Sequence, residues 1–265
     1  PEVVQQVKRT LVDTFGCAMG GYLSEPAKIA RRMASEISST SPSRIIGTED
    51  YSSMDLAGFA NGVMVRYLDC NDSYFSPGGG HPSDMIPGLV SLSEENNKIG
   101  KDLILAIATG YELAVNLCDV ASLRKFGWDH VSFTGLGAAA GASKLLGFSK
   151  EQIRSTLAIY SVPHASMRQT RVGELSMWKG AAAANAVRNA IFAANVELFR
   201  ILPCPSASSI IGMLASALVT ACCMSGLEKS TPVTTTAIVT SFPVTLYNSC
   251  TRSEFARFPI SEIFE

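Results

Sequence analysis

Histidine is scarce. Only His81, His130 and His164 occur in 265 residues, and none follows His164. Several signatures are missing outright. There is no GxGxxG, no P-loop, no GxSxG and no HExxH, so a nucleotide cofactor and a serine-hydrolase mechanism lack support. The seven cysteines are odd in number and show no CxxC spacing, and no His/Cys cluster has zinc-ligand spacing. With no secretory signal at the start, reduced thiols and a cytoplasmic protein are expected. Charge is sparse too. Charged residues make up 17% and the net charge is -1, which gives no electrostatic reason to bind nucleic acid or an anionic membrane. The longest apolar run near the C-terminus, Ile210 to Met224, is short for a bilayer span, which takes roughly 20 residues. It reads as a buried helix.

What is present is apolar and helical in period. Hydrophobic residues make up 47%, enough for a sizeable core in one large domain or two small ones. Val3, Val4, Val7, Leu11, Val12, Phe15, Ala18 and Met19 recur at helical spacing and predict a first helix with one buried face, ended by Gly20-Gly21. Pro26 suits the first turn of a second helix reaching about Ile37. Further helices are expected over Met54 to Leu68, Met85 to Leu92, Lys101 to about Leu123, Ser132 to Leu146, from Ser149 to about Tyr160, and over Ala181 to about Glu197. Ser149 with Gln152 forms a capping-box pattern. Strands hardly appear, apart from a short extended piece at Ile45-Ile46-Gly47 and a β-branched stretch over 231–247. The fold class is therefore all-α, a helical bundle whose connecting loops can gather at one end.

Those loops carry the chemistry. The first, LDCNDSYFSPGGGHPSD from Leu68 to Asp84, holds Asp69, Asp72, Asp84 and His81. A polar, Gly-rich loop between helices is poor core material, and loops held on a rigid scaffold are where function concentrates. Three more polar islands follow: Arg124 to His130, Pro163 to Arg171, and Glu174 to Gly180. Together they supply Asp69, Asp72, His81, His130, Lys179, Arg168 and Arg171. Two histidines provide a general base and a general acid near neutral pH. An aspartate beside one fixes its tautomer. Lysine and arginine suit a carboxylate-bearing substrate. Proton abstraction next to a carboxylate, with departure of a β-hydroxyl or of carbon dioxide, fits this set. The plain alternatives are a structural histidine at His164, a solvated helix face for Arg168 and Arg171, and a surface lysine at Lys179.

The phrases RYLDCNDSYFSPGGGHPSD, GWDHVSFTGLGAAAGASKLLG and RQTRVGELSMWKGAAAANAVRNAIFAA resemble the MmgE/PrpD family, which includes 2-methylcitrate dehydratase and cis-aconitate decarboxylase. The similarity runs from about residue 3 to about 198. It implies a cofactor-free lyase on a small tricarboxylate, usually a homodimer, with a large all-helical domain and a smaller α+β lid domain. On this resemblance the catalytic residues match Asp69, His81, His130 and Lys179, and a small hydroxyl residue matches Ser73. Arg168 and Arg171 are further candidates for holding substrate carboxylates. The Asp84 of HPSD resembles the dehydratase branch more than the decarboxylase branch, where glycine is usual.

Two units are thus expected: an all-helical MmgE/PrpD-like domain over 1–198 and a divergent or truncated segment over 199–265. The second does not resemble the lid, and the lid histidine has no counterpart in it. Dehydration of 2-methylcitrate or a similar hydroxy-tricarboxylate is the leading expectation. A decarboxylase or epimerase on the same scaffold is the alternative, with a non-catalytic family member that binds a metabolite or partner as a third.

Overall fold

The computed structural model describes residues 2–164 and 166–199. The apolar run Ile210 to Met224, the β-branched stretch 231–247 and the rest of the divergent segment beyond Phe199 lie outside the described residues.

The described chain is helical almost throughout. Eight α-helices occur in it: α1 (Glu2–Gly21), α2 (Glu25–Ser35), α3 (Met54–Tyr67), α4 (Ile86–Glu95), α5 (Gly100–Val120), α6 (Val131–Leu146), α7 (Lys150–Ser161) and α8 (Trp178–Phe199). Two short strands, β1 (Ser43–Arg44) and β2 (Tyr51–Ser52), pair antiparallel between α2 and α3. The extended piece thus falls just before Ile45 rather than on it. Ile45 is fully buried and donates its N–H to Asp50 O across the turn.

α3 and α8 lie side by side at the centre. α1, α2 and α4 pack on α3, while α6 joins α8 to α5 and α7. Small residues set these distances. A Cβ at Gly137 of α6 would stand 2.5 Å from Gly110 O of α5, so the two helices meet backbone to backbone. The Gly- and Ala-rich stretch marks a tightly packed helix, as its composition implies. The capping box at Ser149 is formed, with the hydroxyl accepting from Gln152 N and the Gln152 side chain accepting from Ser149 N. α5 is the one described helix long and apolar enough to cross a bilayer, and half of its most apolar window is buried inside the bundle.

α1 departs from expectation. Its buried residues are Val7, Thr10, Thr14, Cys17, Ala18 and Gly21, whereas Val12 and Met19 are about three-quarters exposed, at 74% and 75%. The helix offers two apolar faces, and the one with small side chains fits against α3. Gly20 and Gly21 do not stop the helix. They form its last turn, where Gly21 lets the Met64 carbonyl of α3 come into contact. α2 ends at Ser35 rather than near Ile37.

Candidate functional site

α3 ends at Tyr67, and Asp69 then takes a left-handed backbone, φ +60°, donating its N–H to Arg66 O at 3.2 Å. Aspartate is among the few residues other than glycine that adopt this region readily. The chain next folds into a small antiparallel loop, Tyr74 and Gly80 exchanging both backbone hydrogen bonds at 2.8 and 3.0 Å. Gly78 N donates to Cys118 O of α5 at 2.7 Å, and a Cβ at Gly78 would lie 2.6–2.7 Å from the α5 backbone. The loop is thereby fastened to α5, and His81 leaves it just before the 3₁₀ turn Pro82–Met85.

Asp72 braces His81. One of its carboxylate oxygens accepts Ser83 N–H at 2.9 Å and the other accepts the Tyr111 hydroxyl at 2.8 Å. Burial pushes the Asp72 carboxyl up, against those hydrogen bonds. His81 Nδ1 is 2.7 Å from Asp72 O and 3.3 Å from Ser73 Oγ. A carbonyl oxygen only accepts, so Nδ1 carries the proton. Nε2 is then the basic nitrogen, and it stands 4.0 Å from Asp69 Oδ1. Burial, followed by the Arg66 charge, holds the His81 imidazole below its ordinary value.

The second and third islands are pinned together. Trp128 and Met167 form an antiparallel bridge, Asp129 N donates to Ser166 O at 2.7 Å, and Arg168 N donates to Gly127 O at 2.9 Å. Asp129 is fully buried and accepts Arg171 Nε at 2.9 and 2.8 Å. Burial alone would raise this carboxyl, but His130 and Arg171 outweigh it and hold it down to about 2. His130, at the mouth of α6, has Nδ1 2.8 Å from Asp129 Oδ1, yet off the line of a hydrogen bond. Burial lowers the His130 imidazole, and Asp129 offsets this only in part.

These islands meet. The His81 and His130 rings lie 5.6 Å apart, centroid to centroid, tilted by 56°. Lys179, in the first turn of α8, reaches across to donate from Nζ to Asp69 Oδ2 at 2.9 Å. Asp69, Ser73, His81, His130 and Lys179 therefore form one contiguous set. Arg171 stands behind it, committed through Nε to Asp129. Arg168 is half-buried and makes no side-chain hydrogen bond or ion pair among the described residues. His164 lies apart, its ring 5.4 Å from that of Tyr160, in keeping with a structural role.

Sequence reasoning missed the floor of the site. Arg66 is nearly inaccessible and contacts Asp69 through Nη1, while its Nε is 3.4 Å from Asp84 Oδ2. Asn71 Nδ2 donates to Ser83 Oγ at 2.8 Å and to Asp84 Oδ1 at 2.9 Å. Burial pushes the Asp84 carboxyl up to about 6, although Arg66 and His130 pull the other way. The available signal was that Arg66 is the only cation in α3. Tyr111, inside the apolar α5, left none.

Eight buried side-chain polar atoms have no hydrogen-bond partner among the described residues. Five of them belong to this cluster: Arg66 Nε, Asp84 Oδ2, both ring nitrogens of His130, and Arg171 Nη2. Arg66 Nε and Asp84 Oδ2 nevertheless face each other at 3.4 Å, and His130 Nδ1 lies 2.8 Å from Asp129 Oδ1. Buried polar groups are almost always paired, so the remaining two, His130 Nε2 and Arg171 Nη2, mark a place for water or a polar ligand. No group of three metal-ligating side chains gathers among the described residues. Two clefts, of about 440 and 340 Å³, lie elsewhere: one is lined by Arg44, Tyr51 and Lys98, the other by Met33, Phe59 and Trp178. Neither of these two clefts is lined by His81 or His130.

Residues 1–196 match the MmgE/PrpD N-terminal domain. The chain belongs to the MmgE/PrpD family. Among relatives of this family member, it is 27% identical over 198 residues to the "Probable 2-methylcitrate dehydratase" of Saccharomyces cerevisiae, covering 68% of this chain and 38% of that one. It is 27% identical over 205 residues to the 2-methylcitrate dehydratase of Escherichia coli K12, covering 71% and 42%. It is 34% identical over 174 residues to the cis-aconitate decarboxylase of Homo sapiens, covering 62% and 35%. The match thus spans less than half the length of each of these relatives.

Proposed function

We propose that this chain supplies the catalytic face of a cofactor-independent hydro-lyase acting on 2-methylcitrate or a similar hydroxy-tricarboxylate. One observation carries the reading: a half-buried and a buried imidazole, both with lowered proton affinity, lie 5.6 Å apart, beside an Asp69–Lys179 pair at 2.9 Å. In this reading His81, with Nδ1–H held by Asp72 O, offers Nε2 as the base that takes a proton from the carbon next to a carboxylate. His130 delivers a proton to the departing hydroxyl. A multiply negative ligand beside His130 favours the charged imidazole that the acid needs, against the burial that lowers it. Asp69 orients, Ser73 hydrogen-bonds, and Lys179 with Arg168 or the free Nη2 of Arg171 takes the carboxylates.

Incubation with 2-methylcitrate, followed by proton NMR, tests this directly. Formation of the unsaturated acid supports it. Thermal stabilisation by tricarboxylates without turnover of any of them instead favours a metabolite-binding module. A second reading, decarboxylation of cis-aconitate, draws on the 34% identity to the human decarboxylase, and release of carbon dioxide from cis-aconitate separates it. A cytoplasmic homodimer belongs to the same proposal and rests on sequence resemblance and free cysteines. Light scattering and cell fractionation check it.

A further inference from the structure

We propose that Arg66 is a positioning residue: its buried guanidinium, anchored on Asp84 and Asn71, holds Asp69 between His81 and Lys179 and sets the charge that His81 experiences. Three observations converge. First, Arg66 is the one cation of α3 and is 3% exposed. A charge in that position persists only when its partners compensate it. Second, its partners are divided in kind. Asp84 is as deeply buried as Arg66, with Nε–Oδ2 at 3.4 Å, whereas Asp69 is 42% exposed and also pairs with Lys179. The guanidinium therefore links the core to the site. Third, Arg66 and Lys179 contact different carboxylate oxygens of Asp69, Oδ1 and Oδ2.

Asn71 completes the anchor. Its amide donates to Asp84 and Ser83, and its carbonyl oxygen is 3.4 Å from Arg66 Nη1. The guanidinium plane is thus fixed by side chains that never reach solvent. His81 is faced by Arg66 from α3, Asp69 and Asp72 from its own loop, Arg171 from the 3₁₀ turn Arg168–Arg171, and His130 from α6. Asp84 is faced by Arg66, Asn71, Asp72, His130 and Tyr111. Removing the Arg66 charge therefore favours protonation of His81.

The kinetic side of this inference rests on the lyase reading, but its decisive test does not. The imidazole resonances of His81 are titrated by heteronuclear NMR in the wild type, Arg66→Gln, Arg66→Lys and Arg66→Met. The expected result is an upward displacement of the His81 midpoint in Arg66→Gln and Arg66→Met, and a smaller one in Arg66→Lys, which keeps the charge but loses the fork. Arg66→Met removes the charge without burying a new polar end and keeps the test decisive if Arg66→Gln does not fold. A His81 midpoint unmoved in every folded variant overturns the proposal. Displaced midpoints in a protein that turns over no acid sustain it while removing the lyase reading. Where turnover is seen, Arg66→Gln is expected to lower kcat at least ~10-fold and to move the acid limb of the pH profile. A uniform loss with an unshifted limb counts against it.

Discussion

His81 and His130 stand 5.6 Å apart, on separate loops that the bundle brings together. Their surroundings differ. His81 has one nitrogen locked by a backbone carbonyl and the other directed toward Asp69, while His130 has a fully buried carboxylate beside Nδ1 and no aligned partner for either nitrogen. That asymmetry suits one base and one acid.

His81→Ala is expected to cost at least ~100-fold in turnover of the responsive acid, as loss of a general acid or base does. His130→Ala should cost a similar factor. Product formation under saturating substrate is the measurement. An unchanged rate in either variant removes that residue from the acid/base pair.

Much of this arrangement was legible beforehand, for a physical reason. Helical period and the Ser149–Gln152 box reflect local chain geometry, and local geometry survives into the fold. The polar islands stood out because polar backbone between apolar helices has to go somewhere useful. The misreadings came where non-local packing decides. Val12 and Met19 fit the helical period but face outward, because α3 accepts only the small-residue side of α1. Gly21 looked like a helix stop and is instead a contact with Met64. Arg66 and Tyr111 were invisible as site residues, since their relevance depends on what lies opposite them in space, at Asp69 and Asp72.

Asp129 should show itself in the pH dependence of stability. Its folded-state value, about 2, lies below the ordinary value of a free aspartate. A depressed carboxyl contributes stability that is present above its unfolded value and lost as the pH falls through its folded one. Asp129 is fully buried, so the shift corresponds to about 2 kcal/mol at neutral pH. Asp129→Asn should lose roughly that much, and more if Arg171 is left uncompensated. Urea melts at a series of pH values check this. The gap between wild type and variant should close as the pH falls from about 4 toward about 2.

Lys179→Met removes the cation that closes the Asp69 side of the site. If Lys179 holds a substrate carboxylate, KM should rise at least ~10-fold, with Lys179→Arg recovering part of it because a guanidinium still pairs with a carboxylate. Initial-rate kinetics across substrate concentrations separate the two constants. A fall in kcat with KM unchanged would instead place Lys179 in the chemical step.

Gly78→Ala tests whether the His81 loop depends on its seat against α5. The added methyl would meet Ala121 O at 2.6 Å and Cys118 Cα at 2.7 Å, both of them backbone atoms of a packed segment that cannot swing aside as a side chain would. The loop must then lift, breaking the Gly78 N–Cys118 O hydrogen bond. Overpacking of this kind costs about 1–3 kcal/mol, readable as a lowered urea midpoint. The displacement continues through the Tyr74–Gly80 pairing to His81, so turnover should fall by more than the loss of folded protein accounts for. A variant that loses stability yet keeps full activity per folded molecule would show that His81 is held by Asp72 and the Pro82–Met85 turn alone.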